Sequence, residues 1–205
     1  MERKKNKYTP NFIYLGILID NDLLYLKLSP YLKKLKEKIN SNEIILPTFE
    51  NFNENESNGI YKFAKHFHIT TLFLGKKNSN KNNNIYKNFV NGKKTFVKIF
   101  GLIIIYEKIM ILICKSEEEI DNKFPHITFM IGKEYKPVNS NDVLETLFEK
   151  NEKIKNIYEE NVIKEEKNEI FMEFKEIILG KEEKGLIWIF NEIIDLEGEL
   201  KGFKY

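Results

Sequence analysis

Arginine occurs once, at Arg3, and cysteine once, at Cys114, in a chain of 205 residues. A single cysteine excludes an internal disulfide framework and a cysteine-built zinc site, and fits a reducing compartment. A single arginine leaves almost no bidentate guanidinium clamp for a phosphate. Lysine must then serve as a point charge, or hydroxyls and backbone amides must bind instead. The longest apolar run, Leu102 to Cys114, is broken by Glu107 and Lys108. Neither half approaches the roughly 20 apolar residues that span a bilayer. Met1 to Lys7 is charged and lacks the small-residue cleavage pattern of a signal peptide. A soluble intracellular protein, cytoplasmic or nuclear, is therefore expected. A formal charge of +2 excludes a bulk polycation, so any nucleic-acid contact must be a local patch. No glycine-rich phosphate loop, Walker motif or dinucleotide fingerprint is present.

What is there supports one folded domain over residues 1–205. Apolar residues make up 42% of the chain, enough for a sizeable core, and charged residues 31%, a heavily solvated surface. Phe12–Asp20 reads as a first strand. From Pro30, Leu32, Leu35 and Ile39 recur at helical spacing, with Ser29 as the cap. Asn51–Asn58 and Lys76–Asn84 read as polar surface loops. His66–Gly75, Lys94–Ile104, Lys108–Cys114 and Phe124–Gly132 read as strands, the middle two joined by a tight turn at Glu107–Lys108. Asn141–Lys150 reads as a helix capped by Ser140 or Asn141, and Lys150–Glu169 as an exposed helix or loop. Glu169–Leu179, Leu186–Ile194 and Leu196–Tyr205 close the chain as strands. The mixture is strand-dominated α+β, without regular βα alternation.

Three histidines are few, and all three fall in two of these strands. His68-Ile69-Thr70-Thr71 and His126-Ile127-Thr128-Phe129 are two copies of His-apolar-Thr, each on a strand that ends in glycine, Gly75 and Gly132. Strand side chains alternate, so His68 and Thr70 share one face, as do His126 and Thr128. Ile69 and Ile127 point the other way, into a core. If the two strands lie side by side, one site holds two imidazoles and two hydroxyls.

That set suits phosphodiester cleavage without a metal. A neutral imidazole takes a proton from water or a 2′-hydroxyl, and a protonated one gives a proton to the leaving oxygen. The threonine hydroxyls can donate to non-bridging oxygens as charge builds on them. They also supply the phosphate contacts that a chain nearly free of arginine needs. A zinc site built on these histidines is the other chemical option, poorly supported because no carboxylate or cysteine stands at ligand spacing beside either one. The third histidine, His66, shares the face of His68. It reads as a rim contact to substrate or as a plain strand-end residue, and its counterpart before the second motif is Phe124.

Paired His-x-Thr-x strands resemble the two-histidine (2H) phosphoesterase superfamily. Within it, the chain is most similar to the cyclic phosphodiesterase domain of fungal-type and related tRNA ligases. The resemblance rests on Lys62–Gly75, Ile103–Cys114 and Phe124–Glu145, the last with its Pro-His-Ile-Thr and with Ser140-Asn141 opening the next helix. It implies a bilobal α+β fold, two pseudo-symmetric antiparallel sheet lobes around a central cleft with helices outside. It also implies His68 and His126 as the acid–base pair and Thr70 and Thr128 as phosphate-binding hydroxyls, with no metal and no cofactor. The implied substrate is RNA with a 2′,3′-cyclic phosphate end, such as a tRNA half, opened to a 2′-phosphate in RNA repair or tRNA splicing.

No ligase or kinase domain accompanies the motifs. A free-standing monomeric phosphodiesterase, or one part of a split system with separate ligase or kinase proteins, is therefore expected. Lys76, Lys77, Lys133, Tyr135 and Lys136 follow the motif strands. They are candidates for the cleft mouth, where lysine would steer a polyanion and Tyr135 would stack on a base, or else solvated loop residues of a lysine-rich chain. Two other readings stay open. One is a 3′-end exonuclease, or a 2′,5′-oligoadenylate or cyclic-nucleotide phosphodiesterase, of the same superfamily. The other is a catalytically idle RNA-binding module.

Overall fold

The computed structural model describes residues 12–38, 61–64, 66–75, 83–132 and 134–204. Its strands are β1 (Tyr14–Ile19), β2 (Lys62–Phe63), β3 (His68–Phe73), β4 (Lys94–Ile105), β5 (Ile109–Ser116), β6 (His126–Ile131), β7 (Ile170–Ile178) and β8 (Lys181–Phe203). The helices are α1 (Asn21–Lys38), α2 (Asn84–Asn88), α3 (Asn139–Glu145) and α4 (Glu152–Tyr158). A π-helical turn follows α3 (Thr146–Lys150) and another follows α4 (Glu159–Ile163). All strand pairings are antiparallel, and the class is α+β as the patterning indicates.

The strands do not form two separate sheets. They form one hydrogen-bonded order, β2-β6-β5-β4-β8-β1-β3, with β7 also on β8. The long strand β8 makes this continuity possible. Its first half pairs with β7 and its last with β1, while β4 runs beside both. Between Ile99 and Gly101 of β4 the register on β8 jumps from Ile194 to Ile189. Such a bulge bends both strands and deepens their twist.

The apolar run in β4 and β5 is buried on both faces, and parity explains why. Leu102, Ile104, Met110 and Leu112 pack with Leu24, Leu28, Leu32 and Leu35 of α1. Ile103, Ile105, Ile109 and Ile111 pack with Val143, Leu144 and Leu147 of α3 and its following turn, and with Ile154 and Ile157 of α4. A central strand covered on both sides needs no alternation, so the sequence reads there as a near-continuous apolar stretch.

Four local expectations need correction. The first helix begins at Asn21, not Pro30, because Asp20 Oδ1 accepts from the Leu23 backbone N–H and caps it. Pro30 lies inside the helix, and the turn that loses a hydrogen bond starts at Leu26, which is exposed. Ser140 is not a cap but lies within α3, fully buried. The segment 150–169 is not wholly exposed, since α4 and its turn bury Ile154, Ile157, Tyr158 and Val162. The last two expected strands are one, β8. Asn51–Asn58 and most of the second Asn-rich stretch lie outside the described residues; Asn83 and Asn84, at its end, open α2.

Candidate active site

The two motif strands stand near opposite ends of the sheet order, yet the chain forces those ends together. β2 pairs with β6, and only residues 64–67 separate β2 from β3. Five peptide steps reach at most about 17 Å. The sheet therefore curls until β3 comes up beside β6. A cross-tie fixes the approach: the Asp121 N–H, in the loop leading to β6, donates to the Thr71 carbonyl of β3 at 2.8 Å.

Each motif strand carries the same irregularity at the same place. In β3, Leu72 pairs with Leu15 and Thr70 with Gly16, so Thr71 is an extra residue. In β6, Met130 pairs with Met110 and Thr128 with Ile111, so Phe129 is extra. The fourth residue of each motif is thus a bulge. It turns inward, Thr71 and Phe129 both being buried, and the strand changes phase just after the His and Thr. The Thr71 and Phe129 carbonyls bond outside these pairings. Thr71 O accepts from Asp121, as above, and Phe129 O from the Ala64 N–H at 3.3 Å. Simple alternation in the sequence gives no sign of this.

The histidines are held alike. His68 Nδ1 lies 3.1 Å from the His66 carbonyl, and His126 Nδ1 lies 2.8 Å from the Phe124 carbonyl. A carbonyl only accepts, so each Nδ1 carries the proton. Nε2 is left as the exchangeable nitrogen on both rings. His126 is buried, and Phe124, which holds it, is anchored by Phe148 and Tyr158 at ring separations of 5.3 and 5.6 Å. His68 stacks on Tyr14 and also meets Phe203, each at 5.1 Å.

Burial lowers the His126 pKa to about 4, against the pull of the Phe124 carbonyl and with help from the like charge of His68. Burial likewise lowers His68, opposed by its backbone bond and reinforced by the charge of His66.

Thr70 is half-buried in β3 opposite Gly16, and Thr128 is half-buried in β6. The Thr128 hydroxyl lies 2.7 Å from Ser140 Oγ and 3.5 Å from the Pro137 carbonyl. His66 keeps its side chain exposed and serves His68 through its carbonyl. Tyr135 packs its ring against the second apolar cluster, where burial and then Glu183 raise its pKa to about 12. Lys136 is exposed, while Lys76, Lys77 and Lys133 lie outside the described residues. The glycines that end the motifs serve different ends. Gly75 takes a φ of +66°, which favours glycine, whereas a Cβ on Gly132 would fall 1.9 Å from the Glu107 carbonyl in the β4–β5 turn.

No protein-family model matches the chain, and no curated protein does. Among solved structures, a crystal structure of a fungal RNA kinase matches 98% of this chain with a TM-score of 0.54 and 15% identity. The match covers 47% of that protein's chain. At such identity the likeness is one of fold, and this chain spans about half the length of that neighbour. No helix among the described residues is long and apolar enough to cross a membrane.

Proposed function

We propose that this protein is a two-histidine phosphodiesterase that opens 2′,3′-cyclic phosphate ends of RNA to 2′-phosphates without a metal, in a cleft between two halves of its sheet. One observation carries the reading: both His-x-Thr strands present the same device. Each has Nδ1 tied to the carbonyl two residues back, Nε2 left for proton exchange, and a bulge directly after the threonine. The RNA kinase whose fold the chain shares adds support for an RNA substrate.

We assign His126, the more deeply buried ring and so the harder one to charge, as the base, and His68 as the acid. His126 Nε2 takes a proton from water as the water oxygen attacks phosphorus. The P–O3′ bond breaks, and His68 Nε2–H gives its proton to the departing ribose oxygen. The Thr70 and Thr128 hydroxyls donate to the non-bridging oxygens, on which charge accumulates.

The direct test is incubation of the protein with an RNA ending in a cyclic phosphate, with a chelator present. Ring opening to a 2′-phosphate is the expected outcome. Activity that disappears with the chelator would overturn the metal-free mechanism, and RNA binding without turnover would favour an idle binding module. Preference for a linear 3′ end or a 2′,5′ linkage would redirect the substrate class.

A pH profile tests the pair itself. Catalysis needs one imidazole charged and the other neutral, so kcat/KM should be bell-shaped. Its acid limb should lie near pH 4 and its alkaline limb below the ordinary histidine value of about 6.5. Bound phosphate favours the charged imidazole and should move the kcat profile to higher pH. A rate constant flat from pH 4 to 8 would sink the assignment.

A further inference from the structure

Ser140 is fully buried in α3, twelve residues beyond Thr128, and its hydroxyl lies 2.7 Å from the Thr128 hydroxyl. Two features make the direction of that bond matter. The other oxygen near Thr128 Oγ1 is the Pro137 carbonyl at 3.5 Å, which can only accept. A Thr128 proton directed to Pro137 or to Ser140 is not available to a phosphate. Ser140, shut away from water, must also place its own proton on a protein acceptor or leave it unpaired. Donation from Ser140 to Thr128 Oγ1 resolves both conditions. It satisfies the buried hydroxyl and frees the Thr128 proton to turn toward the cleft, while polarising the Thr128 O–H.

The helix that carries Ser140 is itself pinned to the second motif. Asn141 Oδ1 accepts from Asn122 Nδ2 at 2.9 Å, and Asn122 Oδ1 accepts from the Phe124 N–H at 3.4 Å. The Phe124 carbonyl in turn holds His126. The first turn of α3 therefore touches both functional groups of β6, one through Ser140 and the other through this chain of bonds.

We propose that Ser140 is a positioning residue: it donates to Thr128 and so directs the Thr128 hydroxyl onto a non-bridging phosphate oxygen. The proposal rests on the phosphodiesterase reading for its substrate, and the test separates the two. The full chain, S140A, T128A and the double variant are compared on RNA ending in a 2′,3′-cyclic phosphate. They are also compared on the two diastereomers of the cyclic phosphorothioate, and in binding of adenosine 2′-phosphate.

S140A should lower kcat about tenfold, and T128A about a hundredfold, the scale of losing one transition-state hydrogen-bond donor. Because Ser140 acts through Thr128, the double variant should be no slower than T128A alone. Sulfur is a weak acceptor, so the wild type should discriminate between the diastereomers and S140A should narrow that ratio. A merely structural serine would leave the ratio unmoved.

Losses that multiply in the double variant, or an S140A protein indistinguishable from wild type, would overturn the proposal. A wild type that binds the nucleotide but never opens the ring would overturn the phosphodiesterase reading. Non-additive binding losses would then still support the role of Ser140, and additive ones would refute it. Neither turnover nor binding in a folded wild type would overturn both.

Discussion

Replacing His68 or His126 by alanine should lower kcat for ring opening by about 10²–10⁴, the usual worth of a positioned acid or base. The two losses should not multiply in the double variant, because acid and base serve one transition state. The rings differ in surroundings, and this gives the experiment a second readout. His126 is the more deeply buried, which favours its neutral form and suits the proposed base, while the proposed acid, His68, is only half-buried. A diester with a nitrophenolate leaving group needs no proton at departure. It should restore much of the rate to His68→Ala and none to His126→Ala. Equal rescue of both would refute the assignment of acid and base, and full activity in either alanine variant would refute the site.

Acid should unfold the protein earlier than its surface charges alone would dictate, and His126 should be the reason. Its pKa falls from about 6.5 in an unfolded chain to about 4 when folded. Between those values the unfolded state binds the proton and the folded state does not, so the unfolded form gains as pH falls. The contribution is complete above pH 6.5 and is lost on the way down to pH 4. That difference corresponds to roughly 3 kcal/mol at about 1.36 kcal/mol per pH unit. His68 shifts in the same direction and adds to it.

Glu134 and Glu165 are also held below their usual range, by lysine partners, and lose their contributions at lower pH. They are unchanged in His126→Gln, so the difference between the two proteins isolates the histidine. Urea unfolding at pH 7.5 and pH 4.5 should show a steep loss in wild type and a shallower one in the variant. Parallel losses would mean that His126 is not held neutral by burial.

The acid-rich segment after α3 illustrates what local pattern conceals. Lysine, glutamate and asparagine dominate residues 150–169, and the apolar residues among them make only a weak stripe. Folded, Tyr158 stacks on Phe148 at 4.1 Å and packs edge-on against Phe124, the residue whose carbonyl holds His126. Four apolar side chains on one helical face suffice when a sheet supplies the opposite wall. Ser140 misleads for a related reason. A serine ahead of a helical pattern resembles a cap, and only the proximity of β6 turns it inward to Thr128.

The sequence by itself determined the strand-rich α+β class, the strands bearing the motifs and the pairing of each His with its Thr on one face. These follow from period-two alternation, a property of neighbours along the chain. The scarcity of arginine and histidine supports only the expectation that hydroxyls and two imidazoles handle a phosphate. Tertiary structure decided the rest. Alternation does not say which strands pair, so it could not show one sheet in place of two. Nor could it show that four residues between β2 and β3 draw its ends together. The bulges after Thr70 and Thr128 and the depth at which His126 lies arise from pairing and burial among distant segments, which no local window contains.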